Sequence, residues 1–379
     1  MIIEGDFIIF GEGNYNTLGV LYQLAEIGID PLLVIIGKTK DSKKGNIIGY
    51  SKYARRIHEV ATEKDGLNWI LRNKDNFLKG TIIYPTSDVT EKLLDENFNA
   101  LKEVFKFPTV GIEGGVSRLM NKQLQTQLAN DAGIRVINSQ FTNADKIDFD
   151  KIKYPCFIKT INSTEGSKGD MKICRNELEL KNTLSKKTYG KNYIIQDYIL
   201  NEKDLLFLGV VFGSGEIWLP AVVVKPGVSF RGEYSHAFIT TDIKKYLPEF
   251  EAVKAFIKSL RYYGPFSIEF AHEKGKNYFL EINLRNDGTS HYPMNMGINL
   301  VKAYIDNKSE NHLEIEMEYE MIDETSDLRR VLYRELSLKR WLRSFRKAGS
   351  YRFYRKGDYG LILPLFRMFL SRTIRKILF

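Results

Sequence analysis

Two glutamates, Glu269 and Glu281, lie in segments that alternate apolar and polar residues as strands do: Phe266-Ser-Ile-Glu-Phe and Tyr278-Phe-Leu-Glu-Ile-Asn-Leu-Arg285. The Lys/Gly-bearing stretch from His272 to Asn277 reads as the turn of a hairpin, which would set the two carboxylates opposite one another on one sheet face. Strand side chains return to the same face every second residue, so Asn283 and Arg285 are expected beside Glu281. Such an oxygen-rich surface suits Mg2+ bound together with substrate phosphates, and the guanidinium can neutralise charge on a phosphoryl group in transfer. Glu269, Glu281 and Asn283 are therefore the metal-ligand candidates and Arg285 a catalytic candidate. The competing reading is a solvated strand face, but Asn-Leu-Arg-Asn-Asp-Gly-Thr is too polar to end an ordinary core strand.

A second constellation stands upstream. Tyr154-Pro-Cys-Phe-Ile-Lys159-Thr precedes Ile161-Asn-Ser-Thr-Glu-Gly-Ser-Lys-Gly169. A lysine at the end of a strand, before a loop with Gly166 and Gly169, is placed for polyphosphate: glycines let backbone N–H groups approach oxygens closely, and Lys159 supplies a point charge. The Walker A pattern is absent, so this is no P-loop.

The elements that must position these groups follow from pattern. Phe7 to Phe10 is a short apolar run, Gly11 to Gly19 a glycine-bearing turn, Leu18 to Ile27 helix-like and Pro31 to Ile36 a strand, a βαβ start. The GxGxxG pattern is incomplete and no acid ends the second strand, which favours a tight turn lining a cleft over a dinucleotide site. After the strand Thr81 to Tyr84 comes Pro85-Thr-Ser-Asp88. Ligands bind at the carboxyl ends of strands in open parallel sheets, so Asp88 and Ser87 are candidates for a polar substrate, with a helix N-cap an equal account. Downstream the pattern gives a helix from Asn121 to Ala132 stopped by Gly133, then strands at Ile134–Ile137, Tyr154–Thr160 and Met171–Cys174. A helix (Glu177–Lys186), a strand (Tyr193–Gln196), a strand pair (Leu205–Val211, Ile217–Lys225) and an amphipathic helix (Glu249–Tyr262) complete the series. The fold class expected is α/β, turning to α+β in the second part.

The spacing Glu-x11-Glu-x-Asn-x-Arg resembles the magnesium motif of the ATP-grasp superfamily, which includes biotin carboxylase, D-alanine–D-alanine ligase and the carboxylate–amine ligases. Three further segments resemble that superfamily in its order. Lys122 matches a helix lysine, and Lys159 with Ser163, Gly166, Ser167 and Gly169 matches the strand lysine and flexible glycine loop. Gln196, Asp197, Tyr198 and Ile199 match the hinge that holds adenine, with Gln196 where many relatives have Glu. Asp204 stands where relatives place an acid on the ribose. The resemblance covers residues 110 to 305. It implies an N-terminal Rossmann-like pre-ATP-grasp domain (1–115), a two-lobed ATP-grasp domain (116–320, small lobe about 135–196, large lobe about 197–320) and a basic helical extension (321–379).

The chemistry implied uses ATP and Mg2+ to activate a carboxylate as an acyl phosphate, which an amine then attacks. Arg285 would stabilise that state, and Arg231 or Lys225 would reach the γ-phosphate or the substrate carboxylate, with Arg231 preferred for its bidentate fork. His291, in the polar loop Asn286 to Gly297, is a candidate base for the amine, a structural histidine being equally compatible. The segments Gly11 to Gly19 and Pro85 to Asp88 look most like D-aspartate ligase and related ligases of cell-envelope synthesis. Another ATP-grasp chemistry and a non-catalytic nucleotide-binding scaffold are the alternatives; the intact Glu-Glu-Asn-Arg set argues against the scaffold.

Composition bounds the rest. The 379 residues suffice for two or three domains. Two cysteines, Cys156 and Cys174, make no disulfide framework and point to a reducing, cytoplasmic setting. The start of the chain lacks the pattern of a signal peptide, and no stretch of about 18 apolar residues exists to span a membrane. From Asp327 onward there are 15 Lys/Arg against 3 Asp/Glu, while the whole chain is +9. The basic character thus belongs to the tail, and no nucleic-acid partner is expected for the body. The tail, with apolar residues at helical spacing from Leu365, is expected to lie on an anionic membrane surface, at the inner face, or to pack on the body or a second subunit of a homodimer; RNA is a weaker reading. The remaining partners expected are a small acid and a small amine.

Overall fold

The computed structural model describes residues 7–143, 146–161, 172–185, 192–226, 237–309 and 316–378. The first sheet is a parallel one. It holds β1 (Phe7–Glu12), β2 (Leu32–Ile36), β3 (Arg56–Val60), β4 (Thr81–Pro85) and β5 (Phe105–Lys106), in the order β3-β2-β1-β4-β5. Phe7 through Phe10 are all buried, as a strand covered on both faces by helices requires. The covering helices are α1 (Tyr15–Glu26), α2 (Glu63–Arg72), α3 (Asp88–Asp95) and the one-turn α4 (Phe98–Leu101). The glycines of the first turn answer to close packing: a Cβ on Gly11 would lie 1.8 Å from Thr86 Oγ1, and one on Gly19 would lie 2.5 Å from His291 Nδ1.

Two short helices, α5 (Gly115–Leu119) and α6 (Lys122–Asp131), lead out of this layer. Asn121 caps α6 by accepting from the Gln123 and Leu124 N–H groups, and Gly133 follows with φ +82°. The expected strand Ile134–Ile137 is a correction: only Val136 makes an isolated bridge, to Phe279, and the strand begins at Ser139. The Ile134 N–H is used instead to close the end of α6, on Ala129 O.

A four-stranded antiparallel sheet follows, ordered β6 (Ser139–Asn143), β9 (Asn192–Asp197), β7 (Cys156–Thr160) and β8 (Lys172–Cys174), with α7 (Glu177–Ser185) on its back. Cys156 and Cys174, directly opposite one another, lie in the core beneath α7 with Ile158, Leu180 and Tyr193, both as free thiols. That burial leaves Phe157, Lys159, Ile194 and Gln196 on the other face, because strand side chains alternate.

The seven-stranded sheet supplies the other half. Its long strands are β10 (Lys203–Val211), β11 (Ile217–Pro226), β13 (Gly264–Glu273) and β14 (Lys276–Asn283). Between β11 and β13 come β12 (Phe238–Thr240), the one-turn α8 (Ile243–Tyr246) and α9 (Phe250–Ser259), whose Val253, Phe256 and Ile257 pack on the sheet. After β14 come α10 (Leu300–Asp306), β15 (Glu318–Ile322), α11 (Glu324–Leu332), α12 (Leu338–Lys347), β16 (Ser350–Tyr351) and α13 (Ile362–Leu378). Strands β15 and β16 extend the sheet, so the basic extension is joined to the body by main-chain pairing.

Candidate active site

The hairpin of β13 and β14 turns at Lys274-Gly275, both with positive φ. From the turn, Glu273 pairs with Lys276 and Phe270 with Phe279; the register then shifts and Glu269 pairs with Glu281. Leu280 is the extra residue. Without that bulge Glu269 would oppose Leu280, and Glu281 would fall on the opposite face, so the shift is what sets the two carboxylates across from each other. The same shift keeps Phe279, Ile282 and Leu284 in the core beneath.

Four charged groups meet at this face. Lys122, the first residue of α6, puts Nζ 2.9 Å from Glu281 Oε2. Lys159, buried on β7, is pushed down to about 8 by burial and by Lys122, with Glu281 and Glu269 opposing. Burial, then Glu281, drives Glu269 up to about 7, partly offset by Lys225. Burial would raise Glu281 as well, but Lys122 and Lys159 overcome it and hold that carboxyl below its ordinary value. The pair is therefore polarised, with one carboxylate neutralised by lysines and its neighbour under-compensated. Asn283 donates from Nδ2 to Glu269 Oε1 at 3.5 Å, at the limit of a hydrogen bond, so its amide is held near the pair.

Arg285 leaves the strand end toward the parallel sheet. Its Nε donates to Asp88 Oδ1, and its Nη1 donates to Asn286 O at 2.9 Å. Although burial opposes its charge, Asp88 keeps the guanidinium protonated. Asp88 is the first residue of α3, and Ser87 is its N-cap, accepting from the Thr90 N–H at 3.2 Å. The Pro85 to Asp88 segment thus caps a helix and also holds the arginine.

Gln196 uses Nε2 on Ser139 Oγ at 3.0 Å. Asp197 accepts from Asn138 Nδ2 at 3.3 Å, and the Tyr198 N–H goes to Pro155 O at 3.1 Å, with Ile199 following half-buried. Beside them a cavity of about 370 Å3 is lined by Gln123, Ser139, Phe141, Ile152 and Gln196. Asp204 accepts from Asn201 Nδ2 and lies opposite Lys225 and Ala271 in the sheet. Ser163, Gly166, Ser167, Gly169 and Arg231 lie outside the described residues. His291 is held elsewhere: Nε2 donates to Tyr351 O at 3.1 Å, and burial pushes the ring down to about 4, so it is neutral. Its surroundings are α1 and the extension rather than the glutamate pair.

Local pattern missed three positioning residues. Gln125 donates from Nε2 to Leu119 O (2.8 Å) and Ile282 O (2.9 Å) and accepts from the Ile282 N–H (3.2 Å), clamping α6 to β14. Asn286 donates to Asn16 and accepts from Ser290 Oγ at 2.7 Å, joining the loop after β14 to α1. Asp287 adds negative charge near Glu269 and Arg285. Only the polar run Asn286-Asp287 gave a local signal, as the start of a polar loop.

No protein-family model and no curated protein sequence matches the chain. Solved structures do. An ADP complex of N5-carboxyaminoimidazole ribonucleotide synthetase is similar with a TM-score of 0.63, 16% identity, and coverage of 88% of this chain and 86% of that one. This is the ATP-grasp fold. An L-amino acid ligase from Bacillus licheniformis shares it at TM-score 0.61 and 13% identity, covering 79% of this chain and 73% of that one. So does the biotin carboxylase domain dimer of a 2-oxoglutarate carboxylase from Hydrogenobacter thermophilus, in complex with MgADP, ADP and bicarbonate (TM-score 0.59, 19% identity, 82% and 70% coverage). Lys159 on the four-stranded sheet faces Glu281 on the seven-stranded sheet.

The donor set can be tested for a divalent cation. Among the described residues no cluster of three His, Cys, Asp or Glu side chains stands ready to hold a metal. Two carboxylates and an amide are present, and burial beside Glu281 disfavours the charged form of Glu269, a penalty that a cation between the two would offset. That composition fits Mg2+, which commonly takes one or two carboxylates and completes its shell with phosphate oxygens and water.

Proposed function

We propose that the chain is an ATP- and Mg2+-dependent ligase that activates a carboxylate as an acyl phosphate and joins it to an amine, forming a carbon–nitrogen bond. The observation that carries this reading is the Glu269–Glu281 pair meeting Lys122 of α6 on its own side and Lys159 from the four-stranded sheet. Glu269, Glu281 and Asn283 would hold Mg2+, which would supply positive charge to offset that of the phosphate oxygens. Lys159 and Lys122 would bind polyphosphate oxygens, and the loop from Ser163 to Gly169 would cover them. Main-chain groups of residues 196–199 would meet the adenine and Asp204 the ribose.

A carboxylate is a poor electrophile because its leaving group would be oxide; as an acyl phosphate it loses phosphate instead. Arg285, aimed by Asp88, would stabilise charge on that phosphate, with Arg231 as the second guanidinium. The amine adds to the carbonyl carbon, the carbon–oxygen bond to phosphate breaks, and the amine proton leaves to water or a base. Asp88 is committed to Arg285, which makes it a positioning residue in this reading. Ser87, Asp88 and the His291 loop would border the acid and amine. Substrates of the amino-acid or cell-envelope-precursor type are proposed, on the likeness of Gly11–Gly19 and Pro85–Asp88 to D-aspartate ligase. The proposal includes a cytoplasmic location and a homodimer, the state named for the biotin carboxylase domain above.

The test is Mg2+-dependent ADP release across paired panels of D- and L-amino acids, peptidoglycan-precursor peptides and bicarbonate. ADP release that requires both an acid and an amine establishes the ligase. Release with bicarbonate in place of an organic acid moves the chain to carboxylating chemistry. ATP binding without turnover on any pair favours a scaffold.

A further inference from the structure

We propose that the outer face of the C-terminal helices docks on an anionic lipid surface. Helix α13 carries two apolar stripes. Leu361 at its entrance, with Leu365 and Met368, packs onto the body beside Phe353. Leu363, Phe366 and Leu370, at i, i+3 and i+7, form a second stripe that is 57%, 53% and 40% exposed, with Ile362 and Arg367 exposed beside it. A helix that only caps a body has a polar outer face; this one does not.

Helix α12 repeats the arrangement. Phe345 turns inward, with its ring 4.9 Å from Tyr351 and 5.6 Å from Tyr354. Leu338 and Leu342 stay exposed among Lys339, Arg340, Arg343, Arg346 and Lys347, all exposed. Half of the exposed large hydrophobic residues among those described lie between Leu332 and Leu370, about a tenth of the chain.

The charge that α12 and α13 carry has one sign. Beyond Glu335 the sequence holds a single acidic residue, Asp358. Asp358 is buried, accepting from Ser51 Oγ at 2.5 Å and the Lys52 N–H at 2.9 Å. Helices α12 and α13 therefore carry no acidic side chain of their own among the exposed leucines and phenylalanine, and the body brings Asp41 and Glu59 to the cavity they share with Arg367 and Leu370.

These two features select the occupant. A second copy would bring the same cations against these. A nucleic acid would use the cations but leave a helical stripe of Leu363, Phe366 and Leu370 in water. An interfacial lipid surface with anionic headgroups satisfies both at once. No described helix is long and apolar enough to cross a membrane, so the contact is peripheral. The extension is tied to the body, with Arg355 Nη2 2.5 Å from Glu26 and Tyr22 OH donating to Phe353 O at 2.9 Å, so docking would hold the body at a set face to the lipid.

Co-sedimentation of the full chain with vesicles of phosphatidylcholine, alone or with about one-third phosphatidylglycerol, tests this at low and high salt. Binding to the anionic vesicles only, weakened by salt, is expected. R340E/R343E and, separately, F366S/L370S should each weaken it at least about ten-fold while leaving the thermal unfolding transition in place. Absence of binding at low salt overturns the proposal. So does binding that F366S/L370S leaves unchanged, since the apolar stripe would then be idle. A dimer that F366S/L370S dissolves, in a chain that ignores vesicles, or RNA binding that outcompetes the vesicles, overturns it in favour of the other occupant. None of these results depends on ATP turnover.

Discussion

Asp88 and Arg285 stand 197 residues apart in sequence and are joined by a charge-assisted hydrogen bond from Nε to Oδ1. The pair links the carboxyl end of β4 to the strand that carries Glu281 and Asn283. Arg285→Ala is expected to lower turnover by about 100-fold or more while ATP still binds, since a transition-state donor of this kind is worth that much. Asp88→Asn should lower kcat by about 10- to 100-fold with little change in ATP affinity, because it frees the guanidinium without removing it. Steady-state ADP release together with calorimetric ATP binding separates the two effects.

Glu281 is the carboxylate that two lysines hold in its charged form, and Glu269 is the one that burial and Glu281 push toward its protonated form. Glu281→Gln should reduce Mg2+-dependent ATP turnover by about 100-fold or more and raise the Mg2+ concentration needed for half-maximal rate. A variant that turned over ATP at the full rate would remove the metal assignment.

Gln125 satisfies three main-chain groups of Leu119 and Ile282. Gln125→Ala leaves them unpaired in a buried place, at a cost of roughly 1–3 kcal/mol each before relaxation. A drop in the unfolding midpoint is expected. A raised KM for ATP should accompany it, because α6 carries Lys122. An unchanged KM in a destabilised variant would show that the clamp serves stability alone.

Glu324 is buried beneath the extension, where its carboxylate accepts from the Phe353 and Tyr354 N–H groups. Burial raises it from 4.5 to about 7 despite those bonds. The native state therefore holds this proton more tightly than the unfolded chain. The contribution to stability is full below about pH 4.5 and is lost as pH rises through about 7. Glu324→Gln should match the parent near pH 5 and exceed it at pH 8, by up to about 3 kcal/mol. Urea unfolding at the two pH values reads the difference, and an equal offset at both would mean the carboxyl does not titrate there.

Local chemistry in the sequence was enough to mark the strands bearing Lys159 and Glu281, the capped helix that begins at Lys122, the polar loop after Arg285 and the basic extension. Alternation, caps and glycine stops act within a few residues, so they can be read from a window of sequence. The site itself was settled over much longer distances. Lys122 meets Glu281 across 159 residues, Arg285 meets Asp88 across 197, and Gln125 and Asn286 act on partners that no spacing rule relates to them. Even the pairing of Glu269 with Glu281 was not a matter of alternation alone. A two-residue turn propagated without a break puts them on opposite faces, and the bulge at Leu280 reverses that. A bulge costs a ladder position, and it persists here because it also returns Ile282 and Leu284 to the core. That exchange between main-chain pairing and burial exists only once the sheet is packed.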